Sequence, residues 1–347
     1  MKYKLISKIA LLALPLNWLS CDTIESPSDL GTDKVKISFS IDSYENAAIT
    51  KTTVSDLNRG IIHWTEGDIV GVFPYKGYQE PFEIPISQIN QANAVFDGGH
   101  WALREGLSYN AYYPFDIANF ASDNMKTKIA LSYSGQSQYD TEINTGKYDF
   151  SYSEWQTSPA SGQMTFKFHH IGCLTVLNVV FPATATYMKI EVVVKDPIGD
   201  NSFDSFPIEG TYDLTYNKDK TPAEGESYVK IPYNGTVYKD RIGLDLYNSE
   251  GTDGFGGILG ETATFYMMLP QVDLISTAAG KKIRFILHDK EGNTYQSSAD
   301  LVNFQQGKKY TFTIMPVADY EGNIDVTPEI GDWNDSSASS TPPPVFE

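Results

Sequence analysis

The stretch Val35-Lys36-Ile37-Ser38-Phe39-Ser40-Ile41-Asp42 decides the fold class. Apolar and polar residues alternate with a period of two, the pattern of a strand with one buried face. Outward along the chain the same kind of segment recurs. Ile69–Phe73, Phe82–Ile86, Tyr109–Tyr113, Lys128–Tyr133, Met164–His169, Leu174–Phe181, Met188–Lys195, Ile242–Tyr247, Thr264–Leu269, Lys282–His288 and Tyr310–Met315 all read as strands. Turn signals stand between them, among them Glu66-Gly67-Asp68, Asp97-Gly98-Gly99 and Gln306-Gly307-Lys308. Lys290-Glu291-Gly292-Asn293 should join Ile283–His288 to Thr294–Gln296 as a hairpin. No segment carries a helical apolar stripe over three turns. Only Phe115–Met125 and Ser153–Ser158 are expected as short helical connections. Strands at regular spacing with little helix predict an all-β protein built of antiparallel sandwiches.

The N-terminus reads as an export signal. Lys2, Lys4 and Lys8 precede the apolar run Ile9–Leu16, and Leu19-Ser20-Cys21 follows. The run is shorter than the roughly 20 residues a membrane span needs. Residues 1–20 are expected to be a signal peptide, with Cys21 as the acceptor of a diacylglyceryl group and the chain tethered by acyl chains. Trp18 stands where such signals usually carry Leu, and Pro15 and Asn17 interrupt the run. An ordinary cleaved signal with an incidental cysteine is the alternative. Residues 21–34 are polar and acidic and read as a flexible tether.

Residues 35–160 are expected to form an N-terminal β-sandwich and residues 161–335 a C-terminal one. The boundary is drawn through the small, polar Ser158-Pro159-Ala160-Ser161-Gly162. Residues 336–347, rich in Ser and Pro, are expected to be a disordered tail. Cys173 lies in the strand-like run Gly172–Leu177 and reads as a small buried hydrophobe. With Cys21 lipidated it has no disulfide partner, so the core alone must hold the fold. A chain of this length can bury enough surface to do so.

The chain carries 44 acidic and 26 basic residues, for a net charge of -18. Nucleic acid needs a clustered cationic face, and this balance disfavours it as a partner. The motifs of catalysis and metal binding are missing. The five histidines, His63, His100, His169, His170 and His288, form no His-Glu-x-x-His, and the two cysteines have no zinc spacing. His169 and His170 are neighbours, so in a strand their side chains leave opposite faces. Gly254-Phe255-Gly256-Gly257-Ile258-Leu259-Gly260 lacks nucleotide-loop spacing and reads as a mobile surface loop. Asp196, Asp200, Asn201 and Asp204 do not follow the EF-hand pattern and read as a solvated turn. There is no Gly-x-Ser-x-Gly elbow. No catalytic residue, cofactor or metal site is expected, and the chain does not read as an enzyme.

Ile62-His63-Trp64-Thr65-Glu66-Gly67-Asp68-Ile69-Val70-Gly71-Val72-Phe73 resembles the W-x-x-G-D-x-I-G-V-F segment of the Bacteroidales fimbrillin-like proteins. Further matches follow in that family's order: Phe96–Trp101, Tyr109–Pro114, Ser134-Gly135-Gln136-Ser137-Gln138, Met164–Ile171, Met268-Leu269-Pro270-Gln271 and Phe304–Tyr310. By their residues alone these motifs are structural, with Trp64 plugging the end of a sandwich before a tight turn.

The resemblance implies two tandem transthyretin-like antiparallel β-sandwiches. It implies a lipoprotein of the outer membrane that serves as a fimbrial subunit or as an accessory or tip pilin in adhesion. Its partners would be other pilin subunits and a host or bacterial surface receptor. Such subunits are cut after a basic residue near the first strand, and a strand from the next subunit fills the groove that opens. Val35, Ile37, Phe39 and Ile41 would form the exchanged strand here. Arg59 is the first arginine, and Lys51 stands where the family has an earlier arginine, so both are candidate processing sites. The alternative function is a surface glycan-binding lipoprotein that does not polymerise, with Trp101, Trp155 and Trp333 as stacking candidates.

Overall fold

The stretch around Phe39 is strand β1 (Val35–Ile41) in a computed structural model of the chain. The structure describes residues 35–332 apart from 42–52, 57–60, 76–77, 90, 92, 99–102, 121–127, 140–144, 195–205, 215–233, 249, 253, 275–281, 319–324 and 327. The strands that follow are β2 (Thr53–Asp56), β3 (Ile61–His63), β4 (Ile69–Pro74), β5 (Glu80–Glu83), β6 (Ala94–Gly98), β7 (Ser108–Tyr113), β8 (Lys128–Ser132), β9 (Gln136–Tyr139), β10 (Ser151–Ser153), β11 (Gln156–Thr157) and β12 (Thr165–His170). Beyond residue 171 come β13 (Gly172–Val180), β14 (Ala185–Val194), β15 (Phe206–Asp213), β16 (Asn234–Lys239), β17 (Arg241–Tyr247), β18 (Phe255–Gly257), β19 (Thr262–Pro270), β20 (Lys282–Asp289), β21 (Thr294–Asp300), β22 (Lys308–Ile314), β23 (Asp325–Val326) and β24 (Glu329–Asp332). Each strand expected from alternation is found within a few residues, and β20 and β21 form the expected hairpin.

The first large sheet runs β10-β12-β1-β6-β5-β4-β7-β11. Ser151 of β10 pairs with His170 of β12 on one side and with Tyr113 of β7 on the other, so the sheet closes on itself. In a barrel this small, side chains fill the interior. Ile37, Phe39, Trp64, Phe82, Phe96, Phe166 and Phe168 are all buried.

The second region is a sandwich. One sheet runs β19-β13-β22-β24 and the other β23-β21-β20-β14-β17-β9, with β18 attached to β14. Phe285 of β20 meets Phe312 of β22 at 4.8 Å between ring centroids, which places the two sheets face to face. A small sheet, β16-β15-β8, completes the architecture. Strands β8 and β9 precede residue 160 yet pair with β15 and β17, which follow it. The described strands on the two sides of residue 160 therefore share sheets.

Four expectations are corrected. The first region is a closed sheet rather than the expected N-terminal sandwich of residues 35–160, because β10 pairs with both β12 and β7. Pairing is not purely antiparallel: β1 with β12, β13 with β22, β17 with β9 and β21 with β23 are parallel. These partners are distant in sequence, so no hairpin dictates their direction. Ser153–Ser158 is extended rather than helical, because β10 and β11 both dock on β7. The Gly254–Gly260 run is not a free loop either, since Phe255–Gly257 pairs with Ala185–Tyr187. Of Phe115–Met125, the described residues include a 3-10 turn at Ile117–Phe120, and 121–125 lie outside the described residues.

Candidate functional site

Strand β1 sits in the barrel wall with a neighbour on each side. It runs parallel to β12, with Phe39 opposite Phe166, and antiparallel to β6, with Ile37 opposite Phe96. The N–H of Ser38 also donates to the carbonyl of Met164 at 3.1 Å. Ile37 and Phe39 have no solvent exposure, while Lys36 faces out. Phe39 is the centre of an aromatic cluster. Its ring lies 4.9 Å from Phe96, 5.6 Å from Phe166, 5.7 Å from Phe168 and 6.3 Å from Phe82. Fully burying an Ile or Phe contributes about 1.5–3 kcal/mol each, and each well-placed aromatic pair about 0.5–1.5 kcal/mol more.

The Trp64–Asp68 turn packs against the same cluster. Trp64 is fully buried and packs edge-on against Phe96, Tyr113 and Phe168, so it touches two rings of the Phe39 cluster. Asp68 ties the turn together: its carboxylate accepts from the Thr65 N–H at 2.8 Å and from the Tyr113 hydroxyl at 2.6 Å. Burial, with the Asp68 charge beside it, pushes the Tyr113 hydroxyl well above its ordinary pKa. Gly67 has φ +88, and a Cβ on Gly71 would fall 2.1 Å from the Tyr112 ring. Both glycines are therefore required by geometry.

The other sequence candidates divide by position. Cys21, Lys51, Arg59, Trp101, Trp333, the signal and tether of residues 1–34, the Asp196–Asp204 loop and the tail lie outside the described residues. The backbone of Val35 and Ile41 is part of β1, and their side chains fall outside the described set. In sequence, Lys51 stands between β1 and β2, and Arg59 between β2 and β3. A cut after Lys51 would free a fragment with β1 alone, and a cut after Arg59 one with β1 and β2.

Trp155 is held in place. Its indole N–H donates to the Leu214 carbonyl at 2.8 Å, and its ring meets Tyr75 at 5.8 Å in a perpendicular contact. His170 Nδ1 lies 2.7 Å from the buried Asp149 carboxylate, whereas His169 packs on the Tyr152 ring. The two histidines thus serve opposite faces. Among the described residues no His, Cys, Asp and Glu cluster could hold a metal. Sequence reasoning found β1 and β12 but not that they are neighbours. Phe82, Phe96, Phe166 and Phe168 therefore went unrecognised as the lining of one groove.

The fimbrillin-like family model matches residues 50–333, most of the chain. The chain belongs to the fimbrillin-like family. No curated protein matches it by sequence. Among solved structures, a candidate cell adhesion protein from Bacteroides uniformis aligns at 14% identity and a TM-score of 0.50, covering 86% of this chain and 99% of that one. That similarity shows a shared fold. A candidate cell adhesion protein from Bacteroides ovatus aligns at 17% identity and a TM-score of 0.49, covering 87% and 98%. The tip fimbrial protein Mfa3 from Porphyromonas gingivalis, with a C-terminal truncation, aligns at 12% identity and a TM-score of 0.37, covering 86% and 100%.

Proposed function

We propose that this fimbrillin-like protein is a fimbrial subunit, or an accessory or tip pilin, of the bacterial surface and acts in adhesion. Its partners are other pilin subunits and a surface receptor. The observation that carries the reading is the family match over residues 50–333. Lipid attached at Cys21 tethers the chain to the outer membrane, and the C-terminal sandwich takes the transthyretin-like form. Immunogold electron microscopy of the native cell surface tests the role: labelled filaments are expected, and uniform membrane labelling would overturn it. Mass spectrometry of membrane-extracted protein tests the anchor, with a diacylated Cys21 as the expected N-terminus.

Assembly proceeds by exchange of β1. The placement of β1 supports this, because no covalent link except the 42–52 connection joins it to the following strands. Burial of Ile37 and Phe39, and pairing on both flanks, also mean that a cut does not by itself eject the strand. The nicked chain should remain a non-covalent complex until a competing strand arrives. Trypsin nicking followed by sizing, with and without a synthetic Val35–Ile41 peptide, tests this. Lys51→Ala with Arg59→Ala should block nicking and exchange together. Uptake of the peptide by uncut protein at the same rate would sink the mechanism.

The division into residues 35–160 and 161–335 is a proposal of the same kind. Cleavage within Ser158–Gly162 should give two fragments that stay associated, because β12 belongs to the barrel. Against the glycan-binding alternative stands the engagement of Trp155 with Leu214 and Tyr75.

A further inference from the structure

The segment Ser134-Gly135-Gln136-Ser137-Gln138 closes two sheet edges at once. The backbone of β9 pairs in parallel with β17, Gln136 opposite Leu244 and Gln138 opposite Leu246. Its glutamine side chains reach the other way, to β19 in the facing sheet. The Gln136 amide donates to the Met268 carbonyl at 2.7 Å and accepts from the Met268 N–H at 2.7 Å. Gln138 repeats the pattern, donating to the Thr264 carbonyl at 3.2 Å and accepting from the Tyr266 N–H at 2.9 Å. Strand β19 has β13 on one side and no strand on its other side among the described residues. A primary amide offers a donor and an acceptor like those of a peptide group. The two glutamines thus act as a surrogate strand along that edge.

What holds β9 differs from what holds β1. Its two inward residues are the glutamines themselves, each 2% exposed. Hydrogen bonds anchor the segment, with a Tyr139–Tyr247 ring stack at 4.9 Å and a bond from the Tyr148 hydroxyl to the Gly135 carbonyl. Such a strand can leave without emptying an apolar pocket. Its departure would bare main-chain edges on β17 and β19, and bare edges recruit extended segments. The spacing that fits is glutamine at alternate residues, and in this sequence only Gln136 and Gln138 stand two apart.

We propose that the cleft between β17 and β19 is a strand-acceptor site for a Gln-x-Gln segment. The chain's own β9 fills it in the single molecule, and the β9 segment of a second copy fills it when the resident strand is released. This is a domain swap through identical elements, and it does not depend on exchange of β1.

The test uses the full chain with Gln136→Ala and Gln138→Ala, and fluorescent peptides spanning Tyr133–Tyr139. The variant should bind the natural peptide at least about tenfold more tightly than the unaltered protein does, the intramolecular competitor having been weakened. It should bind a peptide with alanine at both glutamine positions at least about tenfold less tightly than the natural peptide. Amide exchange at Tyr266 and Met268 should speed up in the variant and slow again with the natural peptide, while β13 amides keep their rates. Equal binding of the two peptides, or no recovery of protection at Tyr266 and Met268, would overturn the proposal. Should the double variant fail to fold, Gln138→Ala alone gives the same comparison at Tyr266, and unchanged exchange there overturns it equally.

Discussion

The barrel and the sandwich hide their strand edges by different means. In the barrel, β10 bridges β12 and β7 by backbone pairing, and aromatic rings then fill the space inside. In the sandwich, the edges of β17 and β19 are covered by one short strand that spends its side chains as well as its backbone on hydrogen bonds. The first closure is bound up with the hydrophobic core. The second is polar and nearly independent of it. The difference teaches that burial alone does not say what holds a strand: Phe39 and Gln136 are both almost fully buried, yet the ring is held by apolar contacts with other rings and the amide by hydrogen bonds to Met268.

The largest test of that contrast is Phe39→Ala. Removing the ring from the centre of four others should cost about 3–5 kcal/mol in denaturant unfolding. A loss below about 1 kcal/mol would mean that the barrel collapses around the gap and that β1 is loosely held after all. Next in size is Glu191 on β14, which anchors a polar network on the sandwich. Its carboxylate meets His288 at 3.1 Å, Lys189 at 3.2 Å and Arg241 at 3.0 Å. The hydrogen bond from His288, followed by Lys189 and Arg241, holds its pKa down at about 2 against the opposing effect of burial. Glu191→Gln should cost about 1.5–3 kcal/mol at neutral pH, the range for hydrogen bonds to a charged group. Because the folded-state pKa is depressed, the contribution is complete above the ordinary carboxylate range and fades as pH falls toward about 2. The stability gap between the two proteins should shrink over that window, and a gap constant with pH would break the assignment.

Tyr113→Phe removes the donor to Asp68 but leaves the ring against Trp64. A loss of about 1–3 kcal/mol is expected, since a buried carboxylate then lacks one partner. Hydrogen exchange sharpens the comparison without mutation. Amides of β1 should exchange only on global unfolding, and those of Tyr266 and Met268 through a smaller opening. The smallest effect concerns Cys173, which is fully buried, donates to the Leu269 carbonyl and has its thiol pKa pushed up by burial. Native protein should not react with a thiol reagent on the timescale of minutes, and prompt labelling would show that β13 is exposed.

What the sequence disclosed follows from how each element is anchored. Strands held by alternating apolar residues were legible, β1, β12 and β20 among them, and so was a structural part for Trp64, which is fully buried. Strand β9 was not, because Gln-Ser-Gln-Tyr carries no apolar period; its motif was visible but its purpose lies in side-chain amides that meet β19 more than a hundred residues away. Strand β6 was obscured by the Asp97-Gly98 turn signal within it, and β15 by Pro207 and Gly210. The Phe39 groove was half legible. Each lining phenylalanine sits in a recognisable local context, but parallel pairing of β1 with β12 has no local signature, since no hairpin links them.

That parallel pairing has a consequence for any filament built by filling the β1 groove. A strand entering between β12 and β6 must run with the first and against the second to keep both ladders. Reversal would break the match on each flank, so the incoming segment is admitted in one direction only. A chain of such joints has a head and a tail, and its two ends are chemically distinct. One end would offer an empty groove and the other a free strand, so the two ends would take up subunits through different contacts.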